Sequence, residues 1–155
     1  MSDPSAELEA AVARHPFFAG LAPELVHAVS ARAEARVVAP GALVAREGTP
    51  AEVFCLVVAG KIALEVGAPD RPTLTVQTLG PGEVLGWSWL IPPHRWRFDA
   101  RAVKETRLIA LPADALRSLL ADHPDWGFEV LRRLVPVLAE RLENTRVQLV
   151  DLHAR

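Results

Sequence analysis

The chain has 155 residues, half of them apolar, and a formal net charge of −2; that length suits one domain with its own core and leaves little room for a second. Its 17 basic and 19 acidic residues are interspersed, with no basic footprint of the kind that nucleic-acid binding requires. No apolar run reaches the roughly 18 residues of a membrane span, and the polar, acidic start lacks the layout of a signal peptide, so the expectation is a cytoplasmic protein without a membrane or nucleic-acid partner.

Residues Ser5 to Arg14 read as a short helix that His15-Pro16 ends, because the residue before a proline avoids the helical region. A second helix is expected from Pro23 to Ala33, with proline at its first position and Leu25, Val26 and Val29 on one face. From Arg36 the texture changes to short β-rich runs broken by turn residues. Val37-Val38 precedes Pro40-Gly41, Leu43 to Ala45 precedes Glu47-Gly48, and Val53 to Val58 precedes Ala59-Gly60. Ile62 to Val66 and Thr73 to Leu79 follow, then Gly80-Pro81-Gly82, then Ala100 to Val103 and Arg107 to Leu111. Runs at this spacing argue for an antiparallel barrel or sandwich. The single cysteine, Cys55, lies inside an apolar run and reads as a buried small hydrophobe.

The end of the chain is helical again. Leu111-Pro112-Ala113-Asp114 opens a helix to Leu120, and Pro124 starts a segment reaching about Leu152. Leu131, Val135, Leu138, Leu142, Thr145, Leu149 and Leu152 fall at alternating spacings of four and three, a heptad seam with one polar member. The seam either packs on the barrel or joins two copies through 131–152, and self-association is preferred because it outruns the length a barrel covers. Pro136 is expected to kink the helix or to start a new one. The layout is therefore one domain over 1–155: helices in 1–35, a barrel in 36–111 and helices in 112–155.

No nucleophile–base pair is visible. The histidines are scattered, no phosphate loop is present, and Ser88 in Gly-Trp-Ser-Trp-Leu lacks the second glycine of a hydrolase elbow. An enzyme is not expected, nor is a bound metal.

Three stretches carry a family resemblance: Pro40-Gly41 with Val44, Glu47-Gly48 and Ala51; Leu79-Gly80-Pro81-Gly82-Glu83-Val84-Leu85-Gly86; and Ala100-Arg101-Ala102 with the alternating strand after it. In order and spacing they resemble the cyclic nucleotide-binding domain, in the sensor form of catabolite activators. The resemblance implies a mainly β fold with flanking helices: a double-stranded β-helix, or jelly-roll barrel, with N-terminal helices and a long C-terminal helix. It also implies a phosphate-binding cassette after Gly82, in which a short helix offers backbone amides to a cyclic phosphate. In the family a glutamate just after the second glycine holds the ribose, and an arginine about nine positions on pairs with the phosphate.

Here those two places hold Trp87 and Trp96. Each lost charge-assisted bond is worth roughly 1.5–3 kcal/mol, so ordinary cAMP affinity is not expected from the family's usual contacts. The candidate ligand-binding residues are Leu85, Gly86, Trp87, Ser88, Arg95, Trp96, Arg97, Phe98 and Asp99, with Thr145 from the long helix. Arg95 and Arg97 either redirect a cation to the phosphate position, or form a solvated edge or an ion pair with Asp99. Trp87, Trp89 and Trp96 fill the pocket, stack on a planar ligand or anchor a partner protein. Thr145 either touches a bound base or is a tolerated polar seam position. The leading reading is a non-enzymatic sensor that takes a cyclic nucleotide (cAMP or cGMP) or another small anionic or planar ligand. Its output would pass through the C-terminal helix to a homodimer or a regulated partner protein. The other is a ligand-free interaction module with its pocket filled by Trp87 and Trp96. Transcription factors of the family carry a helix-turn-helix after the long helix. This sequence ends at Arg155, so direct DNA binding is not expected.

Overall fold

The computed structural model describes residues 3–154. Two helices open the chain, α1 (Pro4–Arg14) and α2 (Pro23–Ser30). Eight strands follow: β1 (Glu34–Val38), β2 (Leu43–Ala45), β3 (Val53–Ala59), β4 (Ile62–Ala68), β5 (Arg71–Leu79), β6 (Val84–Leu85), β7 (Asp99–Ala102) and β8 (Thr106–Pro112). Helices α3 (Ala113–Asp122) and α4 (Pro124–Ala154) close the chain. The strands form two four-stranded antiparallel sheets, β1-β8-β3-β6 and β2-β7-β4-β5. This is the jelly roll with flanking helices that the turn spacing and the resemblance predict.

The core lies between the sheets and continues under the N-terminal segment. In β3 the run Phe54, Cys55, Leu56 and Val57 is wholly buried, so both of its faces are covered. Phe17 packs edge-on against Phe54 at 5.1 Å, and Phe54 stacks on Trp89 at 5.1 Å, joining the N-terminal segment, the barrel and the loop after β6 in one aromatic chain. Burial pushes the Cys55 thiol up to about 12. At Gly60, between β3 and β4, φ is +101° and an added Cβ would stand 2.5 Å from the Thr106 backbone, so no other residue fits there.

Several local expectations are corrected. Helix α2 ends at Ser30 rather than Ala33, because Arg32 and Ala33 make tightening bonds to the carbonyls of Val29 and Ser30 and the chain then turns into β1. Strand β6, two residues long, is too short for a periodic pattern to reveal. Helix α4 runs unbroken through Pro136, with no new helix starting there. Both Pro136 and Arg132, whose carbonyl loses its partner, are exposed, so water can take up the freed group.

His15 fastens the N-terminal segment to the barrel. Its ring is buried; Phe17 N donates to Nδ1 at 3.2 Å, which leaves Nε2 to donate to the Val57 carbonyl at 3.1 Å. Burial lowers its pKa below 6.5, against the opposing effect of backbone bonds at Val57 and Glu83. A lowered folded-state pKa means that the unfolded chain binds the proton more readily. This contribution is therefore complete above the unfolded value of about 6.5 and is lost as pH falls through it toward the folded value. Thermal melts should show stability falling as pH is lowered below about 6.5, by at most ~1.4 kcal/mol per pH unit from this one site. His15→Gln, which keeps a donor for Val57, should flatten that part of the profile.

Candidate functional site

Between β6 and β7 the chain leaves the sheets for the segment 86–98, the cassette. Gly86 begins it at φ +106°. A single turn follows, closed by Leu90 N to the Trp87 carbonyl at 3.1 Å. The implied short helix is not formed. Pro92 and Pro93, joined by a cis peptide, supply no amide hydrogens to continue it, and His94 turns the chain back at φ +58°. The returning strand-like stretch docks on the turn between β2 and β3. Ala51 N donates to the His94 carbonyl at 2.7 Å, Gly48 N to the Trp96 carbonyl at 2.8 Å, and Trp96 N to the Thr49 carbonyl at 2.9 Å. Arg95 adds a bond to the Gly48 carbonyl at 2.7 Å, and Asp99 accepts from Glu47 N at 2.8 Å.

The three indoles have separate tasks. Trp89 is fully buried on Phe54, and its Nε1 donates to the Gly86 carbonyl at 3.0 Å. Arg117 of α3 donates to the Trp89 carbonyl at 2.5 Å, tying the turn to the helix. Trp96 is 4% exposed and lies against Gly86: a Cβ added there would meet ring atoms Cη2 and Cζ3 at 3.0 and 3.1 Å. Its ring also packs on buried Phe98 at 5.9 Å. Trp87 is only half-buried, and the exposed Arg97 places its guanidinium carbon 5.6 Å from the ring centre. Among the described residues Arg97 has no hydrogen bond or ion pair. Between Trp87 and Trp89, Ser88 is 1% exposed and its Oγ has no partner. Leu85 is buried in β6 opposite Cys55.

The structure thus gathers Gly86, Trp96 and Phe98 in one packed group and Trp87 with Arg97 in another. It turns Arg95 and Asp99 toward the β2–β3 turn. Thr145 stands apart: it is exposed, and its hydroxyl donates to the Arg141 carbonyl one turn back at 2.9 Å.

Sequence reading missed the face of α4 that meets the barrel. Arg133 donates to the carbonyls of Pro16, Phe17 and Ala19, Arg141 to that of Val84 at 2.6 Å, and Gln148 to that of Val76 at 2.9 Å. The signal was present as spacings of eight and seven, close to whole turns of helix on one side. The seam residues occupy another face. Leu131, Val135, Leu142, Leu149 and Leu152 are all exposed, as is Phe128. No group of side chains suited to a metal ion occurs among the described residues, and no helix is long and apolar enough to cross a membrane.

The family model for the cyclic nucleotide-binding domain matches residues 35–123. The CRP-like cAMP-activated global transcriptional regulator of Mycobacterium tuberculosis is 30% identical over 141 residues, covering 91% of this chain and 61% of that protein. The crystal structure of the Thermus thermophilus catabolite activator protein shares 30% identity with a TM-score of 0.69, covering 89% of this chain and 63% of that one. A cyclic nucleotide-binding domain from Methylobacillus flagellatus gives a TM-score of 0.76 at 22% identity, over 95% and 83% of the two chains, a likeness that speaks for the fold alone. This chain therefore spans about three-fifths of the length of the curated relatives it matches.

Because Trp96 fills the space over Gly86, Trp96→Ala should open a cavity and cost about 3–5 kcal/mol in urea unfolding. Arg97→Gln, which removes only an exposed cation from Trp87, should change stability by less than about 1 kcal/mol.

Proposed function

The chain belongs to the cyclic nucleotide-binding domain family, and on that basis we propose that it is a cytoplasmic, non-enzymatic sensor module. It binds a small planar anion at the cassette and signals through α4. The observation that carries this reading is the Trp87–Arg97 pair: a half-buried indole face under a guanidinium with no other partner. An aromatic plane and an exposed cation suit a base or another flat ring with a negative group. Family membership and the names of the cAMP-responsive relatives make cAMP and cGMP the first ligands to test.

The output side rests on α4. Its exposed apolar residues repeat at heptad spacing, the pattern by which two helices pack side by side. A second copy of the chain is the proposed occupant, with Thr145 at the seam beside Arg141. Binding at the cassette alters the dimer only if the ligand prefers one position of α4 over another.

One observation favours the alternative, a ligand-free interaction module: the packing of Trp96 on Gly86 closes part of the region where the family's arginine would act. Calorimetry with cAMP, cGMP and cyclic dinucleotides separates the two. The sensor reading expects saturable binding by at least one of them, weakened roughly 10- to 100-fold by Arg97→Gln. Heat from none of these ligands leaves the interaction module in its place.

Sedimentation checks the seam independently. The native chain should behave as a dimer, and Leu142→Glu with Leu149→Glu should yield a folded monomer. A native chain that is monomeric throughout its soluble range removes the dimer.

A further inference from the structure

Each sheet has two edge strands, β1 and β6 in one and β2 and β5 in the other. An edge leaves the N–H and C=O of every second residue without a ladder partner, and such a row is a template for another strand. Three of the four edges are capped or broken. The Val84 carbonyl of β6 takes Arg141, and the Val76 carbonyl of β5 takes Gln148, both from α4. Strand β2 has three residues, and its register shifts between Leu43 and Ala45.

Strand β1 differs. Its five residues, Glu-Ala-Arg-Val-Val, include no proline and pair with β8 in unbroken register. Among the described residues no side chain bonds to its main chain. A trough of about 430 Å³ runs along it, lined by all five residues and by Leu43 and Val44 of β2. Val37, 66% exposed, is the most exposed large apolar residue of the described strands.

The charge order along β1 decides which strand fits. Glu34 and Arg36 stand on one face, two residues apart, 3.4 Å from each other and both exposed to water. Ala35, between them, is small and exposed. An antiparallel copy centred on Ala35 sets Arg36 opposite Glu34 twice, which closes a ring of four alternating charges. It also lays Val37 beside the second copy's Ala33. Centring on Arg36 instead sets arginine against arginine, so the charges select one register.

We propose that β1 is a second self-association surface, where two copies of this chain join β1 to β1 about a two-fold axis at Ala35. The two sheets then run on as one eight-stranded sheet. The proposal depends neither on cassette binding nor on the α4 seam. With the seam also formed, each chain carries two different self-complementary faces, and assembly goes beyond a pair.

The test uses the whole chain carrying Leu142→Glu and Leu149→Glu, which removes the seam and is a monomer in dilute solution. A five-residue edge is a small interface, so its pairing shows only on concentration. Sedimentation should then follow a monomer–dimer equilibrium that added salt weakens. In that background Glu34→Arg or Arg36→Glu alone sets like charges opposite each other and should weaken pairing about 10-fold. The two exchanges together leave the net charge unchanged, bring opposite charges back into register and should restore it. Circular dichroism checks that each variant keeps its fold. A monomer at every concentration, indifference to Glu34→Arg, or no recovery in the double exchange would each overturn the proposal; the first leaves the edge to a strand from another protein.

Discussion

The organisation of one end of the barrel depends on the burial of a single indole. Trp89 sits at 0% exposure against Phe54, and from that fixed point it holds Gly86 through its ring N–H and α3 through its carbonyl. A loop without regular structure has main-chain groups to satisfy and little to keep it in one shape. Here the aromatic anchor supplies the shape. The docking of residues 94–96 on the β2–β3 turn then satisfies the main chain. Trp96 can lie against Gly86 only because that glycine has no side chain. Trp87 and Arg97 are left at the edge of this rigid frame, and what they can recognise follows from where the frame holds them.

The long helix has a complementary division of labour. Its inner face grips the rest of the molecule mainly through arginine and glutamine side chains that reach main-chain carbonyls at three heights: the N-terminal segment, β6 and β5. Only Val130 and Leu134 of this helix are fully buried. Its outer face carries apolar side chains that are exposed among the described residues. The inner face also places Val130 and Leu134 in the core, with Trp126 and Val137 packed against it, so the polar tethers lengthen an apolar seat confined to the first half of the helix.

Much of this was legible in the sequence because turns are local. The glycines at 41, 48, 60, 82 and 86 mark bends with positive φ, and they frame the strands closely. The seam was legible because periodicity is local as well. What escaped were the features that depend on distant neighbours. Arg141 looks like any helix arginine until the fold sets Val84 beside it. The three indoles look alike in a row, yet the direction of one turn buries Trp89, exposes part of Trp87 and sends Trp96 across to Gly86. The missing cassette helix could have been inferred from Pro92-Pro93; the family pattern outweighed that local signal. At Pro136 the reverse held: of the two outcomes the local rule allowed, the start of a new helix did not occur.

The chain's lone sulfhydryl has a consequence of its own. Peroxides and alkylating metabolites attack the thiolate, and the side chain of Cys55 is both sealed within β3 and held in its protonated form well above neutral pH. While the fold stays closed, this thiol offers oxidants and alkylating agents no point of attack.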